Sequence, residues 1–534
     1  MRIISLILLL AACASCGKQA PKTSSEQVLR LNLSDDPVAL DPRVVRSLKD
    51  LTVVKQLFEG LMRLDAQGIP QLALAQSVDI SEDLLTYTFH LREAQWSNGD
   101  PVTAQDLRYA WMTALDPSFA CDYSYMLYPI KNAQKVRQGL CTPEELGVSV
   151  VDDKTLVVEL QIPTPYFLEL TAFPTLFPVH HKIAVTYPLW SSPASDHFVC
   201  NGPFCLGGWA TQAEISLTKN PTYWDQQSVS LDRITFSVIS DNNTECQLFE
   251  TNELDWLGQP ISNSIAPELL GKMKLEGKLA SYDIAGTLWF KFNTAKDPFD
   301  NLNIRKAFSY AVNRADIITH ILQGNQTAAT GPLPPCMAVN TAPYFTDGDT
   351  TTAQSLFEKG LAEKGLTRET FPTVVLTYAP NERTNKIVQL VQQQWYKALG
   401  VKIELQALER QVYERNAKRG LYQVGVGQWI ADFNDPLAFL EIFKFKIDPE
   451  VATGMNDTGW QDATYISLLD ASLSERDPQA RQALLRQAET ILMEAMPIAP
   501  LYHYAFDYVK KPYVQDVVLS PLGIADFKTT HLAR

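Results

Sequence analysis

Residues 85–106 read LTYTFHLREAQWSNGDPVTAQD. The first part alternates, with Tyr87, Phe89 and Leu91 apolar and Thr86, Thr88 and His90 polar. That period of two predicts a strand with one buried face. Asn98-Gly99-Asp100-Pro101 is turn chemistry, and Thr103 is a helix N-cap opening a periodic stretch over 103–115. Strand, turn and helix thus follow one another at once. The pattern recurs outward. Alternation predicts strands at 84–92, 154–160, 215–218 and 232–239, and helical periodicity predicts helices at 103–115, 304–323, 384–399 and 477–494. In 304–323, Ala307, Phe308, Ala311, Val312, Ala315 and Ile318 share a face, with Gly324 as the stop signal. Alternating strands and helices predict α/β layers. Pro/Gly-rich breaks at 162–203 and 331–350 suggest domain edges.

The chain has 534 residues, too many for a single core, with 46% hydrophobic and 20% charged residues. That composition excludes disorder, collagen and coiled coil as the main architecture, and mean hydropathy of -0.10 excludes a multi-span membrane protein. A net charge of -14 argues against nucleic acid or anionic lipid as principal partner. No phosphate-binding loop, dinucleotide fingerprint, zincin motif or nucleophile elbow occurs. His180 and His181 are adjacent and point apart, a poor chelating pair. No catalytic residue, metal or cofactor is expected. The 10 Trp, 20 Tyr and 23 Phe residues suit a ring-lined cleft as well as a core. A binding protein fits better than an enzyme.

Arg2 precedes an apolar stretch from Ile3 to Ala12, too short to span a bilayer, and predicts a signal peptide. Leu10-Ala11-Ala12-Cys13 resembles the lipobox of bacterial lipoproteins; Ala14-Ser15-Cys16 is the second candidate, at a more usual signal length. Lipidation at Cys13 or Cys16 would anchor the chain to a membrane, with 18–27 as a polar tether. Export permits disulfides. Cys200 and Cys205 flank a turn, Cys121 and Cys141 flank one short segment, and Cys246 and Cys336 are left over. These pairings are expectations among fifteen arithmetical ones.

Several blocks resemble the extracytoplasmic oligopeptide-binding proteins of ABC transporters (solute-binding protein family 5). They are Leu40-Asp41-Pro42, Leu57-Phe58-Glu59-Gly60-Leu61, the opening stretch through Asp106, Asn201-Gly202-Pro203-Phe204 with Trp209, Asn220-Pro221-Thr222-Tyr223-Trp224-Asp225, Phe292-Asn293-Thr294 with Pro298-Phe299, and Ile304-Arg305-Lys306-Ala307. They keep family order from about 29 to 515. The resemblance implies a two-lobed periplasmic-binding-protein fold (cluster C type) with a hinge and an extra subdomain inserted in the first lobe. The expected division is signal peptide with lipobox 1–15, tether 16–28, first lobe 29–58 with 185–285 and 506–534, inserted subdomain 59–184, and second lobe 286–505. Most of these blocks read as turns, caps and packing, not ligand contacts.

The segment Trp429-Ile430-Ala431-Asp432-Phe433-Asn434-Asp435-Pro436 resembles the family's W-x-A-D-Y-x-x-P. The resemblance implies that Asp432 pairs with a peptide's α-ammonium. Asp435-Pro436 fits a helix start, so Asp432 is not needed as a cap. An extended peptide would add as a strand, with Gln428, Trp429 and Ile430 on one side and Arg46, Ser47 and Leu48 on the other. Tyr125, Tyr128, Trp289, Tyr502 and Tyr504 are candidate cleft rings, about evenly balanced between core and ligand contact. Some relatives carry Cys at Ile430 with its partner at Gly286, a bridge absent here. Arg410, Arg415 and Arg419 lie in the neighbourhood expected to hold the peptide carboxylate, but read better as helix-surface charges. The implied function is peptide capture without chemistry and delivery to inner-membrane ABC permease subunits. The implied state is a monomer, lipid-anchored at the periplasmic face of the cell membrane or on the outer cell surface. The alternatives are peptidoglycan-derived peptides or dipeptides on the same fold, a nickel or other non-peptide ligand, and a surface adhesin.

Overall fold

The computed structural model describes residues 26–450 and 454–534; Cys13, Cys16 and the expected signal peptide lie outside them. Val28, expected in the tether, already opens the first strand, Val28–Leu33. Its side chains Leu29, Leu31 and Leu33 are fully buried, which holds this edge in place.

That strand runs parallel to Arg233–Val238, which continues through Glu214–Lys219 to Phe204–Ala210 in a four-stranded sheet. A second four-stranded sheet, Ala75–Ile80, Thr86–Leu91, Thr155–Glu159 and Val148–Asp152, is antiparallel throughout. The alternation in 86–91 places Tyr87, Phe89 and Leu91 inside, as its period requires. The turn then enters helix Ala104–Ala114, where the Asp106 carboxylate accepts the Thr103 N–H at 2.9 Å and the Trp96 Nε1–H at 3.2 Å.

The third sheet has seven strands and its own core around Phe290, Phe308, Phe357 and Trp395. Two of its strands, Ala280–Phe292 and Ile498–Lys510, are thirteen residues each and pair antiparallel. One end takes Trp256–Gly258 of the first lobe; the other takes Val424–Ile430, then Val374–Tyr378 and Ile403–Ala407 of the second. Between Asp283 and Thr287 their register shifts. The two strands are the hinge of a two-lobed α/β fold.

A network of buried charge explains the most specific blocks. Arg63 donates to both Asp526 carboxylate oxygens at 2.6 Å and to Glu59 at 3.0 Å. The Tyr223 hydroxyl and Trp224 Nε1–H donate to the other lone pairs of Glu59, each at 2.5 Å. Glu59, the 220–225 turn and the C-terminal segment are thereby locked together inside the first lobe.

The helix expected over 304–323 is broken. Leu302–Tyr310 ends, and Asn313 caps a new turn beginning at Arg314. The Arg314 side chain is fully buried and donates to the carbonyls of Ser309, Val312 and Pro500 and to Asp347, which requires that the helix open. The final turn stops on Gln323, at φ 58°, one residue before the expected Gly324. Neither expected disulfide is formed: all six described cysteines are free thiols. Cys200 donates to the Phe204 carbonyl at 3.4 Å with the Cys205 thiol alongside. Cys121 faces Arg137 and Cys141 the Asn132 carbonyl, so this pair has separate surroundings.

Candidate functional site

Strand Val424–Ile430 pairs with Gly286–Phe292 along one edge over its whole length. On the other edge it meets Val374–Tyr378 only at Val424 and Gly425. Beyond Gly425 that edge has no strand partner among the described residues; the Val426 carbonyl accepts the Tyr413 hydroxyl at 2.7 Å, and the rest of the edge borders the space between the lobes up to Ile430.

This open edge borders a cleft of about 790 Å³, lined by Gln428, Ile430 and Tyr504 from the hinge and second lobe and by Leu48 from the first. The Tyr504 hydroxyl donates to the Gln428 amide oxygen at 2.8 Å. Gly286 stands directly opposite Ile430, and a Cβ there would lie 2.6 Å from the Tyr504 ring.

Asp432 follows immediately. Its carboxyl is raised from 3.8 by burial, partly offset by the Tyr125 hydroxyl beside it. Tyr123 and Phe173 complete an aromatic wall, with Tyr123 5.1 Å from Phe173 and 6.0 Å from Tyr125. No Lys, Arg or His pairs with Asp432 among the described residues, so this half-buried carboxylate lacks a counter-charge. The loop carrying it is held on both sides. Phe433 stacks on Tyr166 at 4.1 Å, and Asp435 takes Arg481 bidentately at 2.7 and 2.9 Å. Asp435 also accepts the Leu437 N–H at 2.9 Å, although the helix proper starts one residue later than expected.

The other expected residues divide. Arg46 pairs with Asp122 at 2.8 Å, and its carbonyl accepts the Tyr123 hydroxyl at 3.4 Å, placing it beside the Asp432 wall. Ser47 caps helix Leu48–Leu57, so its hydroxyl is occupied. Trp429 projects away from its strand neighbours into a separate cavity of about 370 Å³, with Trp289 and Phe443, as strand alternation demands. Tyr128 packs against the large core and does not line the cleft. Tyr502 is 1% exposed and belongs to the second core. Arg410 pairs with Glu414 on its own helix, a surface contact. Arg383, Gln326 and Asp507 line the cleft and were missed. They sit at a helix start, a loop and a strand, where nothing in their local sequence marks a site.

No helix among the described residues is long and apolar enough to cross a membrane. No group of three His, Cys, Asp or Glu among them is arranged to hold a metal ion.

Two lobes joined by paired hinge strands, with an unpaired carboxylate and an open strand edge between them, define a solute-binding receptor. The chain belongs to the bacterial extracellular solute-binding proteins, family 5, whose middle region matches residues 70–448. It is 40% identical to the oligopeptide-binding protein OppA of Bacillus subtilis, over 98% of this chain and 97% of that one. It is 34% identical to the dipeptide-binding protein DppE of the same organism, over 95% and 92%. Among solved structures it matches MppA, a periplasmic murein tripeptide binding protein in its unliganded open form, with a TM-score of 0.85 at 28% identity, covering 95% of this chain and 98% of that one. Haemophilus influenzae OppA in complex with RPPGFSPFR gives 0.71 at 27% identity, covering 96% and 100%.

Proposed function

We propose that this protein captures oligopeptides between its lobes and delivers them to the permease of an ABC importer. The observation that carries this is the open backbone edge ending at Ile430, two residues before an unpaired, half-buried carboxylate. A peptide needs both: a strand edge for its main chain, which works for any sequence, and an anion for its terminal ammonium. Gln428, Ile430, Leu48 and Tyr504 line its path; Asp432 takes the ammonium, with Tyr125 and the Arg46 segment closing over it. The lobe segments are 29–58, 185–285 and 506–534, with an inserted subdomain 59–184 that holds its own four-stranded sheet, and a second lobe 286–505. Lipidation at Cys13 or Cys16 would hold a monomer at the membrane beside the permease. The protein performs no chemistry on its ligand.

Titration calorimetry tests this with di- to hexapeptides and a murein tripeptide, each free and N-acetylated. Free peptides should bind and acetylated ones should not. Asp432→Asn should weaken free peptides by about 2–5 kcal/mol, the cost of stranding one partner of a buried charge pair. Equal affinity for free and acetylated peptides would remove Asp432 from the role. Binding of no peptide at all would overturn the function.

A further inference from the structure

Beyond Tyr504 the cleft continues along the hinge strand to Asp507, three residues on, a distance of roughly 10 Å. Asp507 is only 7% exposed, yet it lines the cleft. Its Oδ2 accepts the Gln326 side-chain N–H at 3.4 Å, while its Oδ1 has no hydrogen-bond partner. The Gln326 Oε1 is likewise buried without a partner; its Nε2 is engaged by the Ala505 carbonyl at 3.2 Å. Two buried acceptors on cleft-lining residues therefore have nothing to accept from, and such groups are costly unless a donor arrives.

Arg383 lines the same cleft, near the Tyr502 and Tyr504 rings. It forms no ion pair among the described residues, whereas its neighbour Lys386 is taken by Glu382 at 2.7 Å. Arg383 and Asp507 do not bridge each other. An exposed cation and a buried anion in one cleft, close enough for the Arg383 charge to act on Asp507 yet with neither in an ion pair among the described residues, match a ligand group that carries both charges.

Resting on the peptide reading above, we infer that Arg383, Gln326 and Asp507 form a subsite for a C-terminal residue with a cationic side chain. Arg383 receives the α-carboxylate, and Asp507 with Gln326 receives the ammonium or guanidinium of a terminal Lys or Arg. The cleft therefore discriminates at the peptide's end while its middle remains tolerant of sequence. Asp432 lies beyond Ile430, on the other side of Tyr504, so the two ends of the peptide are read by separate charges.

The test compares peptides of two, three and four alanines ending in lysine with the same peptides ending in norleucine, which keeps the chain and removes the charge. With the purified protein, at least one length ending in lysine should bind about tenfold tighter or more than its norleucine twin, as expected for one charge-assisted pair. Asp507→Asn should abolish that preference, and a circular dichroism spectrum matching wild type shows that the variant is folded. Arg383→Gln should weaken both peptides equally. If the wild-type protein binds both series alike, the subsite is wrong and the peptide reading stands. If the preference survives Asp507→Asn, the assignment to Asp507 is overturned. If neither series binds, the subsite falls together with the peptide reading.

Discussion

The Asp432 carboxylate lies against the Tyr125 hydroxyl, one from the loop after the hinge-side strand and the other from the inserted sheet's long connection. The contact joins two segments some three hundred residues apart, across the mouth of the cleft. Burial raises the carboxyl above 3.8, and the hydroxyl opposes that rise by donating to the ionised form.

Peptide affinity should therefore fall on acidification at a higher pH than an ordinary aspartate would give, because only the carboxylate holds an ammonium. Tyr125→Phe removes the donor and should move this acid limb to still higher pH. Calorimetric titrations between about pH 4 and 8 read it directly. An acid limb that does not move in the variant would separate Tyr125 from Asp432.

Arg63 should be the most sensitive charged residue of the first lobe. Although burial pushes the Asp526 carboxyl upward, Arg63 beside it holds it down to about 2. Arg63→Ala leaves Glu59 and Asp526 with only the buried Lys55 as a nearby cation, itself lowered to about 8 by burial, and should cost about 3–5 kcal/mol. Urea denaturation would show the midpoint fall; a change within error would mean that water enters and solvates the pair.

Gly286→Ala should destabilise the hinge. The new Cβ would meet the Tyr504 ring at 2.6 Å and Ile430 at 3.3 Å. Overpacking of this kind costs about 1–3 kcal/mol. Because Tyr504 lines the cleft, peptide affinity should fall together with thermal stability. Loss of stability with unchanged affinity would show that the ring moves without disturbing the cleft.

His503 makes stability depend on pH. Burial lowers its imidazole from 6.5 to about 4. The Thr287 hydroxyl donates to the Pro332 carbonyl at 2.8 Å, so Nδ1, 2.9 Å from the same oxygen, carries the imidazole proton. The unfolded chain takes up a proton near 6.5 and the folded one does not, so stability is full above 6.5 and declines as pH falls toward 4. The total is about 3 kcal/mol from 1.36 kcal/mol per unit. Unfolding followed at several pH values, against His503→Gln, should show this extra slope in wild type alone.

Much of the fold was legible locally. The alternation of 86–91, the turn at 98–101 and the cap at Thr103 all occur where the residues indicate, because each depends on neighbours a few positions away. Long amphipathic helices such as Glu382–Leu399 were legible for the same reason. The break at Ala311–Asn313 was not. Its cause is Arg314, whose guanidinium finds the Pro500 carbonyl 186 residues onward, a partner that no periodicity reveals. Trp429 lies in the Val424–Ile430 strand, and alternation turns its side chain away from Ile430 into the cavity with Trp289 and Phe443.

The sequence by itself determined the layered α/β class, the order of the elements and, through the segment around Asp432, one end of the proposed site. Those features rest on short-range rules of backbone geometry and on a contiguous motif. Only the tertiary structure decided that the Val424–Ile430 edge stays open beyond Gly425, and that Arg383 and Asp507 stand unpaired in the same cleft. Vacant hydrogen-bonding edges and missing counter-charges are properties of what lies across a gap, and in this chain the two sides of that gap come from distant segments joined by the hinge.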